Sequence, residues 1–287
     1  MIQKLVRILC APIPHQRLRR AARKQVNQYL TDKMVDMGKV FHSNSLAISE
    51  FAPMNQLIDE DSKILIVAPH PDDESIGCGG FMTKYAKQID CICVSSSGYL
   101  RPEDYPKTAE QIADERIAEF NNAMDYYGVR HRWIVKIFGE PPYFDEMMAH
   151  ADTILSMVNF REYTHIFVPC RFDAHREHQY VTKHLIPLLL RKQGFNKNAI
   201  VVYYPVWGTT TLPNYFEDIS DIQYRKTEAI LLYKSRTEKQ DNYAVRVQGL
   251  NYWYGMLKFV KYAEAFRCES IETYLSYVDD RNWARFF

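Results

Sequence analysis

From residue 63 onward, short apolar runs alternate with longer amphipathic stretches, which predicts an α/β fold with a mainly parallel sheet flanked by helices. Two observations carry the prediction. The apolar runs are β-branched or aromatic and have the length of buried strands, and the stretches between them show apolar residues at helical spacing. A third locates the chemistry: two polar loops rich in His and Asp follow directly on strands, where a parallel sheet opens its crevice.

Taken in order, strands are predicted over residues 63–68, 91–95, 133–138, 165–170 and 199–204. Helices are predicted near residues 80–87, 108–127, 145–160 and 178–192. The second of these places Ile112, Glu115, Arg116, Glu119, Phe120 and Ala123 at helical spacing and ends at Gly128, a residue suited to a helix C-cap. Pro205, Gly208 and Pro213 mark a loop, and helical stretches follow near residues 222–233 and 252–266. Crossovers should be right-handed. No internal repeat divides the chain, so a single domain is expected over residues 49–287, preceded by a basic N-terminal arm or amphipathic helix over residues 1–48.

That arm has no Asp or Glu before residue 32, whereas Lys4, Arg7, Arg17, Arg19, Arg20, Arg23 and Lys24 supply cations beside Leu18, Ala21, Ala22, Val26 and Leu30. Such a segment suits peripheral contact with an anionic membrane face, or packing on the domain. Elsewhere the charges balance: 25% charged residues leave a formal net charge of +1, so no global field favours nucleic acid. No apolar run approaches the roughly 18 to 20 residues of a membrane span, and residues 1–14 are broken by charges and prolines. A cytoplasmic protein, with peripheral contact at the inner membrane face through the arm, is therefore expected. Cys10, Cys78, Cys91, Cys93, Cys170 and Cys268 form no C-x-x-C pair and read as reduced thiols, Cys91 and Cys93 as small buried hydrophobes on one strand face.

The first loop lies in residues 64–80, ILIVAPHPDDESIGCGG. His70 and Asp73 stand three apart across the turn after a strand, and one imidazole nitrogen with one carboxylate oxygen suits a divalent metal such as zinc. Asp72, adjacent but free of the metal, is placed to activate its water, and Glu74 to support the turn. A third ligand should come from another strand end, where Asp173, His175, Glu177 and His178 follow residues 165–170. By position alone either His175 or His178 can supply it, leaving a fourth coordination place for water. Gly77, Gly79 and Gly80 are spaced G-x-G-G rather than G-x-G-x-x-G, and the acidic turn before them disfavours phosphate, so no nucleotide cofactor is expected.

With these residues in view, His70-Pro71-Asp72-Asp73-Glu74 after a strand and Asp173-x-His175-x-x-His178 resemble the two signature motifs of the zinc-dependent N-acetylglucosaminyl deacetylases, the LmbE-like or PIG-L family. Arg116-Ile117-x-Glu119, and later Lys226, Ala229, Tyr233 and Ser235, extend the similarity over roughly residues 63–236. The resemblance implies a Rossmann-like fold with the metal site at the carboxyl ends of the strands. It implies zinc on His70, Asp73 and His178, Asp72 as general base, and a protonated His175 stabilising the oxyanion. Arg116 would hold sugar hydroxyls, with Glu74, Asp173 and Glu177 as supports. One departure is that Arg176-Glu177 stands where the family usually has Pro-Asp, so Glu177 would orient His175 from one methylene further away. The implied activity removes the N-acetyl group from an N-acetylated amino sugar or glycoconjugate. Alternatives are an amidase acting on another small amide or a pseudo-sugar thiol precursor, and a non-catalytic glycan-binding scaffold at a membrane. Tyr203, Tyr204, Trp207, Tyr252, Trp253 and Tyr254 are aromatics able to stack on a sugar or to fill the core.

Overall fold

The computed structural model describes residues 57–99, 104, 106–138, 142–210, 212–238 and 243–279. The basic arm predicted over residues 1–48, with its boundary at 49, lies outside the described residues.

Among the described residues, β1 (Ile64–Ala68), β2 (Ile89–Cys93), β3 (Arg132–Ile134), β4 (His165–Pro169) and β5 (Ile200–Tyr204) pair in parallel. β6 (Tyr215–Asp218) and β7 (Ala263–Ser270) complete the sheet in antiparallel pairing, giving the order β3-β2-β1-β4-β5-β7-β6. The mainly parallel α/β class expected from the sequence is the one observed. Every residue of β1, β2 and β4 is buried, because helices cover both faces. Leu65, Val67, Ile92, Ile166, Val168 and Val201 point into one core, which α3 (Phe144–Ala149), α4 (Ala151–Met157) and α6 (Ile186–Gln193) close. Ile64, Ile66, Ala68, Cys91, Cys93, Phe167 and Val202 point into the other, closed by α1 (Asp73–Tyr85), α2 (Ala109–Tyr127) and α7 (Gln223–Leu231).

From β1 the chain builds outward through β2 to β3, then crosses back so that β4 pairs with the opposite edge of β1. The carboxyl ends of β1 and β4 therefore flank the point where strand order reverses, the place at which open parallel sheets form their crevice.

The elements depart from the sequence prediction in instructive ways. α1 begins at Asp73, not near residue 80, so the three glycines lie inside a helix. They serve close packing: a Cβ on Gly77 would come within 2.1 Å of Tyr204 Cδ2, and one on Gly80 within 2.4 Å of Ile219 Cγ2. The stretch expected to be one helix over 145–160 breaks at His150 into α3 and α4. Residues 176–193 form α5 (Arg176–Tyr180), a π turn (Val181–Leu185) and α6. The helix expected over 252–266 ends early: α9 (Tyr243–Met256) stops and β7 follows. α2 matches its signals, with a capping box between Thr108 and Gln111 and Gly128 at φ 85 beyond its end. α8 (Lys234–Thr237) and α10 (Ile271–Asp279) complete the described helices. None of the described helices is long and apolar enough to cross a membrane.

Candidate functional site

Two residues separate β1 from the first turn of the site, and α1 starts immediately after Asp72. This abrupt strand-to-helix passage forces Asp72 to φ 110 and ψ −27, a conformation that side-chain-bearing residues rarely adopt. Arg116, brought by α2, fixes the turn from outside. It donates to the Pro71 carbonyl and lies 3.4 Å from Asp72 Oδ1. The Tyr243 hydroxyl, from the start of α9, donates to Asp72 Oδ2 at 3.0 Å. Burial raises the Asp72 carboxyl above its ordinary range against the pull of Arg116.

The turn projects His70 and Asp73 toward α5, whose first turn carries His178. Asp73 Oδ2 accepts from the His70 backbone N–H at 2.9 Å and lies 3.2 Å from His70 Nδ1. His178 Nε2 lies 3.1 Å from the same Asp73 oxygen and 3.2 Å from His70 Nδ1. Three donor atoms thus form a nearly equilateral triangle. Each imidazole is held from behind: His70 Nε2 by Glu177 Oε2 at 2.5 Å, and His178 Nδ1 by Asp173 Oδ1 at 3.1 Å. Asp173 is itself fixed by the backbone N–H groups of His175, at 2.8 Å, and Trp207, at 2.9 Å.

The carboxylates around this triangle favour positive charge on its imidazoles. Burial resists charge on His178, yet Asp73 and Asp173 overcome it and lift its imidazole to about 10. His70 is also raised, its burial outweighed by Asp73 and Glu177, and the Asp73 carboxyl is driven well below its usual range by the two imidazoles despite burial. His175 behaves in the opposite way. Burial and the positive potential of His70 and His178 lower it to about 4. Its Nδ1 is buried with no hydrogen-bond partner among the described residues. Nitrogens of His70, His175 and His178 all lie within 4.8 Å of one another, so the histidine cluster can hold a metal ion.

The expected residues gather at one cavity of about 370 Å³, lined by His70, Asp72, Asp73, Arg116, His175 and Glu177. Two expected partnerships differ. Glu177 pairs with His70 and accepts the Tyr143 backbone N–H at 3.1 Å, instead of orienting His175. Arg116, expected to meet sugar hydroxyls, is only 1% exposed and engages Pro71, Asp72, Glu119 and Ser235. Glu74 accepts from the Asp72 backbone N–H at 3.2 Å and from the Ser75 and Tyr233 hydroxyls. Burial raises its carboxyl to about 7. Ser97, Tyr99, Tyr143, Trp207, Arg236 and Tyr243 also line the cavity, and of these the sequence offered only Trp207, as one of several aromatics.

Residues 65–188, which carry both loops, match the family model described as PIG-L, GlcNAc-PI de-N-acetylase. The diacetylchitobiose deacetylase of Thermococcus kodakarensis is 24% identical over 237 residues, covering 75% of this chain and 85% of that protein. The solved N,N'-diacetylchitobiose deacetylase from Pyrococcus horikoshii, in complex with its inhibitor MPG, superposes with a TM-score of 0.59 at 21% identity, covering 77% of this chain and 88% of that one. The fold also serves other chemistry: the 4-carboxy-2-hydroxymuconate hydratase GalB from Pseudomonas putida KT2440 matches with a TM-score of 0.55 at 16% identity, over 72% of this chain and 95% of that one. The similarity to the PIG-L, or LmbE-like, family thus runs through the segment that carries both loops of the site.

Proposed function

We propose that this protein is a zinc-dependent hydrolase that removes the N-acetyl group from an N-acetylated amino sugar, free or within a larger glycoconjugate. The observation that carries the reading is the triangle of His70 Nδ1, Asp73 Oδ2 and His178 Nε2, with edges of 3.1 to 3.2 Å. A tetrahedral zinc ion bonded at about 2.0 to 2.2 Å separates its donors by about 3.3 to 3.6 Å. The triangle is one face of such a tetrahedron to within a few tenths of an ångström. In this reading the ligand set is two imidazoles and one carboxylate, with a fourth place open toward the cavity and His175 left for the substrate, although a nitrogen of His175 also lies within 4.8 Å of those of His70 and His178. The amino-sugar substrates follow from the names of the family model and of the deacetylases it resembles.

When bound, zinc supplies a polarised carbonyl and a water that ionises near neutral pH. The remaining steps belong to the chain. Asp72 takes the proton of the attacking water and returns it to the departing amine nitrogen, and its raised pKa makes it the stronger base. Arg116 and Tyr243 hold the two oxygens of that carboxylate and keep it from collapsing onto the triangle. His175 donates as a neutral imidazole to the carbonyl oxygen as negative charge grows on it, a contribution of about 2.7 to 4 kcal/mol by analogy with other oxyanion donors. Arg116 acts on the substrate through Asp72, as a positioning residue.

Acetate release from N-acetylglucosamine, diacetylchitobiose and N-acetylglucosaminyl phosphatidylinositol tests the reading. Release should cease with chelator and return with zinc, and absence of release from every acceptor despite stoichiometric zinc would reject it. Asp72→Asn should lower kcat about 10²- to 10⁴-fold with zinc content intact. Full activity in that variant would remove Asp72 from the mechanism.

A further inference from the structure

Beside the metal triangle lies a second cavity, of about 350 Å³, that the reaction does not use. It shares two walls with the first, Trp207 and Tyr243. The rest of its lining is mostly carbon, from Ile76, Val206, Val247, Leu250 and Ala265. At its floor Lys226 and Glu264 are each 1% exposed and neutralise each other at 2.7 Å. Glu264 further accepts the Gly80 and Phe81 backbone N–H groups, both at 2.8 Å. The floor therefore offers no unsatisfied charge. One polar atom stands apart: Asn251 is 3% exposed, its Nδ2 donates to the Ala263 carbonyl at 3.0 Å, and its Oδ1 is buried without a partner among the described residues. Arg246 also lines the cavity, so the hollow is apolar over most of its wall with a few polar groups at it, the composition of a binding subsite.

We propose that this cavity is an accessory subsite for an apolar substituent of the substrate, seated behind Trp207 and Tyr243 while the amide lies at the triangle. The inference rests on the deacetylase reading. At about 30 Å³ per small group, the cavity holds roughly ten non-hydrogen atoms, the size of a short alkyl chain or an aryl ring bearing at most one donor for Asn251. Such a group reaches the site from either of two attachments, the anomeric oxygen as an aglycone or the amide as an acyl chain longer than acetyl.

Binding to the zinc-loaded Asp72→Asn protein, in which turnover is slowed, separates these attachments. Calorimetric titration with alkyl N-acetylglucosaminides, methyl to hexyl, and with N-acyl glucosamines, acetyl to hexanoyl, should show Kd falling about fourfold per methylene in one series, equivalent to about 0.8 kcal/mol per buried CH₂. The series that responds identifies the attachment. Val247→Trp and Leu250→Trp, each filling the hollow, should flatten that slope, whereas Val245→Trp on the exposed side of the same helix should keep it. Flat series for both attachments, or a slope that survives both filling variants, would overturn the subsite. A graded series without acetate release from any acceptor by the wild-type protein would keep the subsite and reject the deacetylase, and release with flat series would do the reverse.

Discussion

At the scale of single residues, Asp72 concentrates the tension of the site: its backbone lies at φ 110, the residue is 8% exposed, and its ordinary acidity is weakened by burial. A strained residue of this kind costs about 1 to 3 kcal/mol and persists only where its surroundings over-determine it. Here Arg116 and Glu74 grip the turn while Tyr243 grips the side chain. Tyr243→Phe should therefore lower kcat roughly tenfold to a hundredfold, the effect of losing a hydrogen bond to a charged group worth about 1.5 to 3 kcal/mol. Metal analysis of that variant should show unchanged zinc, and a loss of metal instead of rate would mean that the tyrosine serves the triangle. His70, Asp72 and Asp73 were legible because they follow one strand within five residues. Tyr243 was not: 171 residues separate it from Asp72, and no local pattern marks a tyrosine that closes such a contact. The downward shift of His175 was equally hidden, since it depends on burial and on two imidazoles that only the fold brings beside it.

At the scale of elements, α1 must approach β5 closely for the turn before it to reach the site. Gly77 permits this, because Tyr204 fills the space a methyl group would need while its hydroxyl donates to the Val67 carbonyl at 2.7 Å. Gly77→Ala should destabilise the protein by about 1 to 3 kcal/mol through overpacking, read as a lower denaturant midpoint at unchanged m-value. An unshifted midpoint would show that the helix can retreat freely. The glycines looked like a loop in the sequence because their packing partners, Tyr204 and Ile219, lie far along the chain. β7 was missed for a related reason. Its sequence, AEAFRCES, favours helix by intrinsic propensity, and pairing with β5 and β6 overrides it. The buried Glu264 ties that strand to α1 and α7, so Lys226→Met should cost about 3 to 5 kcal/mol by leaving a buried carboxylate short of its cation. Adding Glu264→Gln should return part of that loss, and a simple sum of the two single losses would contradict the pairing.

At the scale of the whole molecule, the alternation of strands and helices was readable because four of the five parallel strands are buried almost throughout and so carry near-continuous apolar runs. The strand order was not readable, and it is the order that makes the site. By placing β4 against β1, the fold brings the His70 turn and the His178 helix to one point although 108 residues part them. A metal held at that point, as proposed, would clasp the two halves of the parallel sheet. Zinc at about a hundred times its Kd should thus add about 2.7 kcal/mol, a rise of roughly 5 to 10 °C in Tm by calorimetry. No rise would place the metal outside this clasp.

The central claim is that His70, Asp73 and His178, and not the three-histidine cluster, hold the metal. Zinc content per chain, measured on the wild-type protein and on His70→Ala, Asp73→Ala, His175→Ala and His178→Ala after equilibration with buffered zinc, tests it directly. One equivalent in the wild type and His175→Ala, with loss in the other three, is the predicted result. Zinc kept by Asp73→Ala and lost by His175→Ala would contradict it.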